Sequence, residues 1–223
     1  MDASSATSNQ KSDFEPFTVG TVFNPISVSP LLCAKPYRRV VIKYPSRLEA
    51  MALDPSKIAT NANLKYAAGQ IDFTVQIFRT VVVELRDRNA GVEISAGSRR
   101  KPLIRHAEAL MRAALSYTEG LLIDITDQVY LRHCGLGSSS GLIASVCCAI
   151  NELFGNPIPV RTLVKYAAQN HGEEIDGEED KINPVQCIGG SAACGTHDGG
   201  LVVIAGENCV IKTMNIADDY DVV

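Results

Sequence analysis

The chain has 223 residues, 46% hydrophobic and 21% charged, with a formal net charge of −4 and a pI near 5.6. This composition suits an ordinary globular protein with a substantial core; the acidic balance argues against a non-specific nucleic-acid binder, and no apolar run approaches the roughly 18 residues that span a bilayer. The seven cysteines are odd in number and contain no C-x-x-C pair, so neither a disulfide framework nor a zinc site is expected, and a reducing cytoplasmic setting is the simplest reading.

The opening residues, MDASSATSNQ, have neither the basic start nor the apolar segment of a secretory signal. Residues 1–16 read as a disordered tail, and residues 17–36, with three prolines, as an extended arm. Arg39-Val40-Val41-Ile42-Lys43-Tyr44 has the β-branched enrichment of a strand, followed by a break at Pro45-Ser46 and an alternating stretch from Arg47 to Leu53. Ile71, Phe73, Val75 and Ile77 stand two apart, as one face of a sheet requires. Thr80 to Leu85 and Val92 to Ile94 are further strand candidates, turned by Asn89-Ala90-Gly91.

The period then changes. Pro102 suits a first helical turn, Leu103, Ala107, Leu110, Met111, Ala114 and Leu115 follow at helical spacing, and Gly120 stops the run. Leu121, Ile123 and Ile125 predict a strand leading into Gly135-Leu136-Gly137-Ser138-Ser139-Ser140-Gly141. After that loop Leu142, Ile143, Val146, Ile150, Leu153 and Phe154 form one apolar stripe, ended by Gly155-Asn156-Pro157. Pro159 opens a shorter helix with Leu163, Val164, Ala167 and Ala168. The run His171 to Asp180, rich in carboxylates, reads by itself as a solvated loop. Leu201 to Ala205 and Cys209 to Met214 form a predicted hairpin through Gly206-Glu207-Asn208. Strands first, then mixed helices and strands without steady βαβ alternation, favour an α+β domain over a Rossmann sheet.

The Gly/Ser loop carries the chemistry. A helix start offers N–H groups without internal partners and a positive field, which together suit a phosphate chain. Gly135 and Gly137 let the backbone take conformations closed to other residues, and Ser138, Ser139 and Ser140 can cap the helix, donate to phosphate, or offer an oxygen to Mg²⁺. No lysine stands in the loop, so it is not a Walker A motif. The bland reading is a Gly/Ser turn capping a buried helix. A rival is the G-x-S-x-G nucleophile elbow, with Ser139 followed by Asp180 and His197 in hydrolase order; too few parallel strand–helix units precede it, and no HGGG-type oxyanion loop is present. Cys147 and Cys148 read as packing, His133 and Cys134 as neighbours pointing to opposite faces, and His197-Asp198 as part of a Gly-rich turn.

His133-Cys134-Gly135-Leu136-Gly137-Ser138-Ser139-Ser140 is similar to the P-x-x-x-G-L-G-S-S-A phosphate loop of the GHMP kinase superfamily, without its leading proline. Pro45-Ser46-Arg47-Leu48 with Ala52-Leu53-Asp54 resembles the family's N-terminal motif in the form found in β-ribofuranosylaminobenzene 5′-phosphate synthases and related archaeal-type kinases. Asp180-Lys181-Ile182-Asn183-Pro184, leading to Ile188-Gly189-Gly190, resembles the acidic stretch before a Gly-Gly strand in homoserine kinases. The resemblance implies an N-terminal domain like the second domain of ribosomal protein S5, with a mixed sheet packed with helices, over residues 37–223. It implies a following ferredoxin-like domain as well, and the expectation is that this chain is truncated before it, leaving surface that would favour a homodimer.

In the family's roles, Gly135, Leu136, Gly137, Ser138, Ser139 and Ser140 hold the phosphates of ATP. Ser139 with Glu173 or Glu174 holds Mg²⁺, Asp180 is the base or orienting group, and Arg47 meets a phosphate or the acceptor. The function so implied is an ATP-dependent kinase acting on a hydroxyl of a small sugar-like or hydroxy-acid metabolite, with no nucleic-acid or membrane partner. The alternatives are a transferase using phosphoribosyl pyrophosphate, a non-catalytic binding module, and, at a distance, a serine hydrolase.

Overall fold

Among the described residues twelve elements follow in chain order: β1 (Arg39–Leu53), β2 (Gly69–Arg88), β3 (Val92–Ile94), α1 (Lys101–Leu115), β4 (Glu119–Asp127), α2 (Ser138–Leu153), α3 (Val160–Gln169), β5 (Gly172–Ile175), β6 (Glu178–Pro184), α4 (Gly190–Thr196), β7 (Leu201–Ala205) and β8 (Cys209–Met214). They come from a computed structural model that describes residues 36–53, 69–129, 134–175, 178–197, 199–205 and 208–217. The expected tail and nearly all of the expected arm lie outside the described residues.

The 20-residue strand β2 is the spine of the main sheet. It pairs antiparallel with β1 along its length, from Arg39 opposite Glu84 to Leu53 opposite Gly69. Its C-terminal half also pairs with β4, and its N-terminal end, Gln70 to Phe73, pairs with β7. β3 lies parallel to β4, and β8 completes the other end against β7. The mixed sheet with helices packed on it is the α+β architecture expected.

Two differences from the sequence reading bear on the site. The break at Pro45-Ser46 is an irregularity inside one continuous strand. Pro45 faces Phe78 whereas Ser46 faces Val75, so β2 carries extra residues there. Among the described residues β1 pairs with β2 alone, and an edge strand tolerates a proline that cannot donate. A bulge also re-aims side chains. Tyr44 and Arg47, three apart in sequence, both come to the side occupied by α4 and the Gly/Ser loop. The second difference is on β2: Gln70 and Asp72, the polar positions of an alternating run, are 4% and 0% exposed. Ile71 and Phe73, which the alternation sets together on the other face, are only partly buried.

Inside, Val81, Val83, Leu121 and Ile123 of the sheet meet Leu103, Ile104, Ala107 and Met111 of α1 and Leu142, Val146 and Ile150 of α2, all but buried from solvent. α2 is enclosed on almost every side, by α1, α3, α4 and the sheet. Its small residues Gly141, Ala144, Ser145, Cys147 and Ala149 suit such close approach, and Cys147 is packing material as expected, fully buried. The turn into α3 is fixed by buried Asn151, which accepts from the Ile158 amide at 3.1 Å and donates to its carbonyl at 2.9 Å.

The acidic run is not a loop. Glu173 stands opposite Asn183 and Glu174 opposite Ile182 in the antiparallel β5–β6 hairpin. The stretch after Ile188 is not a strand either: Gly189, at φ 100°, caps the short helix α4. Among the described residues no helix is long and apolar enough to cross a membrane.

Candidate functional site

The site forms where the Gly/Ser loop opens α2. Gly135 and Gly137 have φ of 83° and 62°, left-handed values that favour glycine. Gly137 is also crowded: a Cβ there would collide with Ser191 Oγ and come within 2.9 Å of Arg47 Cγ and Nε. The three serines do not cap the helix as expected. Gly137 is the cap residue, and no side chain caps the helix. Ser140 Oγ lies 2.8 Å from Ser191 Oγ, which also donates to the Gly137 carbonyl at 3.3 Å. The Tyr44 hydroxyl donates to the Ser191 carbonyl at 2.9 Å, so loop, β1 and α4 are tied together. The leading N–H groups of α2 have no acceptor inside the helix, and no acidic residue stands in its first turn.

Three arginines from three separate places converge on that turn. Arg47 of β1 pairs through Nη1 with Glu49 at 2.8 Å and with Asp72 at 3.2 Å. Arg79 of β2 pairs with Asp127 at 2.6 Å, and its Nη1 comes within 3.7 Å of a Cβ placed on Gly141. Arg100, just before α1 and itself left-handed at φ 56°, donates through Nη2 to Ser139 Oγ at 2.7 Å and pairs with Glu174 at 2.8 Å. Its side chain is 5% exposed, yet Nη1 has no hydrogen-bond partner among the described residues, and neither has Arg47 Nε.

The carboxylates divide into two kinds. Burial pushes Asp72 up to about 6, against the pull of Arg47 and of Gln70, which also donates to its Oδ1; its Oδ2 has no hydrogen-bond partner among the described residues and faces Gly190. For Glu173 burial also acts upward, but hydrogen bonds from His171 and Ser139 and the charge of Arg100 hold the carboxyl below its usual range. His171 Nε2 lies 2.7 Å from it.

The structure therefore brings Arg47, Gly135, Gly137, Ser138, Ser139, Ser140, Glu173 and Glu174 together, with Leu136 and Ser138 lining a cleft beside Ser46, Phe78, Arg79 and Asp127. Asp180 lies on β6, and its side chain falls outside the described residues. Asp72, Gln70, Arg79 and Arg100 are additions that sequence reasoning missed. Of the hydrolase constellation, Ser139 and His197 are not hydrogen-bonded to each other among the described residues. His197 bonds within its own helix, to Thr196 and the Ala193 carbonyl, and β4 ends at Asp127, well short of Ser139. The oxygens expected to hold Mg²⁺ already surround a cation. Mg²⁺ requires ligand oxygens at about 2.1 Å in octahedral array, and the Arg100 guanidinium lies between Ser139 and Glu174 in that volume. As arranged, these side chains do not fit a resident divalent ion.

Residues 102–182 match the model of the GHMP kinases N terminal domain. That span runs from the start of α1 through the Gly/Ser loop to β6, so the match covers the cradle itself. No curated protein matches the chain. Among solved structures, the mevalonate kinase of L. major in complex with R-mevalonate is 13% identical at a TM-score of 0.50, over 76% of this chain and 51% of that one. A phosphotransferase related to the CoA biosynthesis pathway is 11% identical at a TM-score of 0.53, over 82% and 59%. At such identities the likeness is one of fold. The chain spans between 51% and 59% of the length of these two neighbours.

Proposed function

We propose that this chain is the nucleotide-binding part of an ATP-dependent kinase acting on a hydroxyl of a small metabolite. The observation that carries the reading is the opening of α2: a left-handed glycine turn that presents the leading amides of the helix, surrounded by Arg47, Arg79 and Arg100. Phosphate oxygens accept from the amides and guanidiniums without reorganisation of the site, and such pre-set donors are most effective where charge develops during transfer. The cleft between Leu136, Ser138 and Phe78 takes what is attached to the phosphates. In the transfer, the acceptor oxygen bonds to the γ-phosphorus, the bond to the β-phosphate oxygen breaks, and ADP leaves. Asp180 takes the hydroxyl proton, and Arg47 bears on the charge of the phosphoryl oxygens. Isothermal titration with ATP, ADP and AMP tests this. Affinity should fall as phosphates are removed, and equal affinity for all three, or none for any, would sink the reading.

Arg47 turned toward the cradle also suits phosphoribosyl pyrophosphate, the donor used by the subtype that Pro45-Ser46-Arg47-Leu48 resembles. Competition between the two donors in a thermal-shift assay separates these chemistries. ATP binding without transfer to any acceptor, unaffected by Asp180→Asn, would instead favour a binding module.

A further inference from the structure

We propose that Arg100 is the built-in counter-cation of this site, so that polyphosphate binds to it without a divalent ion. The inference rests on the phosphate-binding reading above and concerns what neutralises the phosphates.

The guanidinium is held from several sides. Glu174 takes Nε and Nη2, each at 2.8 Å. Ser139, in the first turn of α2, accepts from Nη2 at 2.7 Å. The residue's left-handed backbone and the proline at the start of α1 fix where the side chain sets out. What remains is Nη1, a charged donor on a nearly buried side chain with no partner among the described residues. Leaving a buried donor unmade is costly, and a phosphate oxygen at the start of α2 would satisfy it with a charge-assisted hydrogen bond. Arg79 and Arg47 differ in position: Arg79 is matched to Asp127, and Arg47 to Glu49 and Asp72, on the sheet side.

A divalent ion would need the oxygens that Arg100 now occupies. Displacing the guanidinium from Glu174 strands a buried positive charge beside a second one, and breaking a buried pair by removing one partner is strongly destabilising. The site therefore already holds its cation.

The test is titration of the full chain with inorganic pyrophosphate and with ATP, in EDTA and in excess MgCl₂. The dissociation constants should agree within about threefold between the two buffers, and Mn²⁺ alone should show no binding by electron paramagnetic resonance. Arg100→Gln should weaken pyrophosphate at least about tenfold in EDTA, with part of the loss restored by Mg²⁺ through the freed Ser139, Glu173 and Glu174. A tenfold or greater gain with Mg²⁺ in the unmodified chain overturns the inference and leaves the phosphate site standing. Binding of neither ligand in either buffer overturns both. Should Arg100→Gln fail to fold, the comparison of buffers on the unmodified chain decides alone.

Discussion

Replacing Asp72 by Asn should remove a specific piece of the protein's pH dependence. Asp72 is wholly enclosed, and burial raises it from 3.8 to about 6. Its protonated form therefore belongs to the folded state more than to the unfolded one. The resulting stabilisation is full below the unfolded value, about 3 kcal/mol for a shift of this size, and is lost as the pH rises through 6. Between about pH 7.5 and pH 5 the gain works out at about 1.4 kcal/mol. Asn keeps the shape and cannot titrate. Urea unfolding followed by circular dichroism at the two pH values, on both proteins, isolates the term because all other groups are shared. The parent chain should gain about 1.4 kcal/mol over Asp72→Asn on acidification, at unchanged m-value. A difference independent of pH, or one of opposite sign, refutes the burial argument.

Two further substitutions test the architecture around the loop. Gly137→Ala should cost roughly 2–4 kcal/mol, because it adds contact with Ser191 and Arg47 to a left-handed backbone. Gly135→Ala, whose nearest neighbour would be Leu48 at 3.9 Å, should cost only the backbone part, about 1–2 kcal/mol; equal losses in denaturant melts would count against the crowding. Asn151→Ala leaves the buried Ile158 amide and carbonyl unpaired and should cost roughly 2–4 kcal/mol, read from the same melts, whereas a neutral result would mean that the turn repairs itself with water.

Much of the helical layer was legible because its signals are local. The proline before Leu103, the apolar stripes, and the glycines around α2 each state their own conformation. The loop was legible for the same reason, down to the two residues with positive φ. Other features depend on contacts far apart in the chain. Asp72 and Gln70 sit in a run whose alternation points the wrong residues inward, since α4 covers the face that the pattern leaves to water; local rules fail where polar groups are buried for a purpose. Arg100 stands within Arg99-Arg100-Lys101, a basic triplet that resembles any solvated surface, and only the return of β5 with Glu174 gives it a place. The β5–β6 hairpin was hidden by its carboxylates, and β1 by a proline that an edge strand accepts.

The long strand β2 has a consequence for the order in which the cradle can assemble. Its second half finds β1 and β4 early in the chain, whereas its first residues meet only β1 early and must wait on their other edge for a partner far downstream, Gln70 opposite Ile204. Contacts so distant in sequence carry a large closure cost and tend to form late. During synthesis, then, α2 and its glycine turn emerge before Ser191 and Tyr44 can be joined, and until α4 has docked the buried carboxylate of Asp72 has no roof.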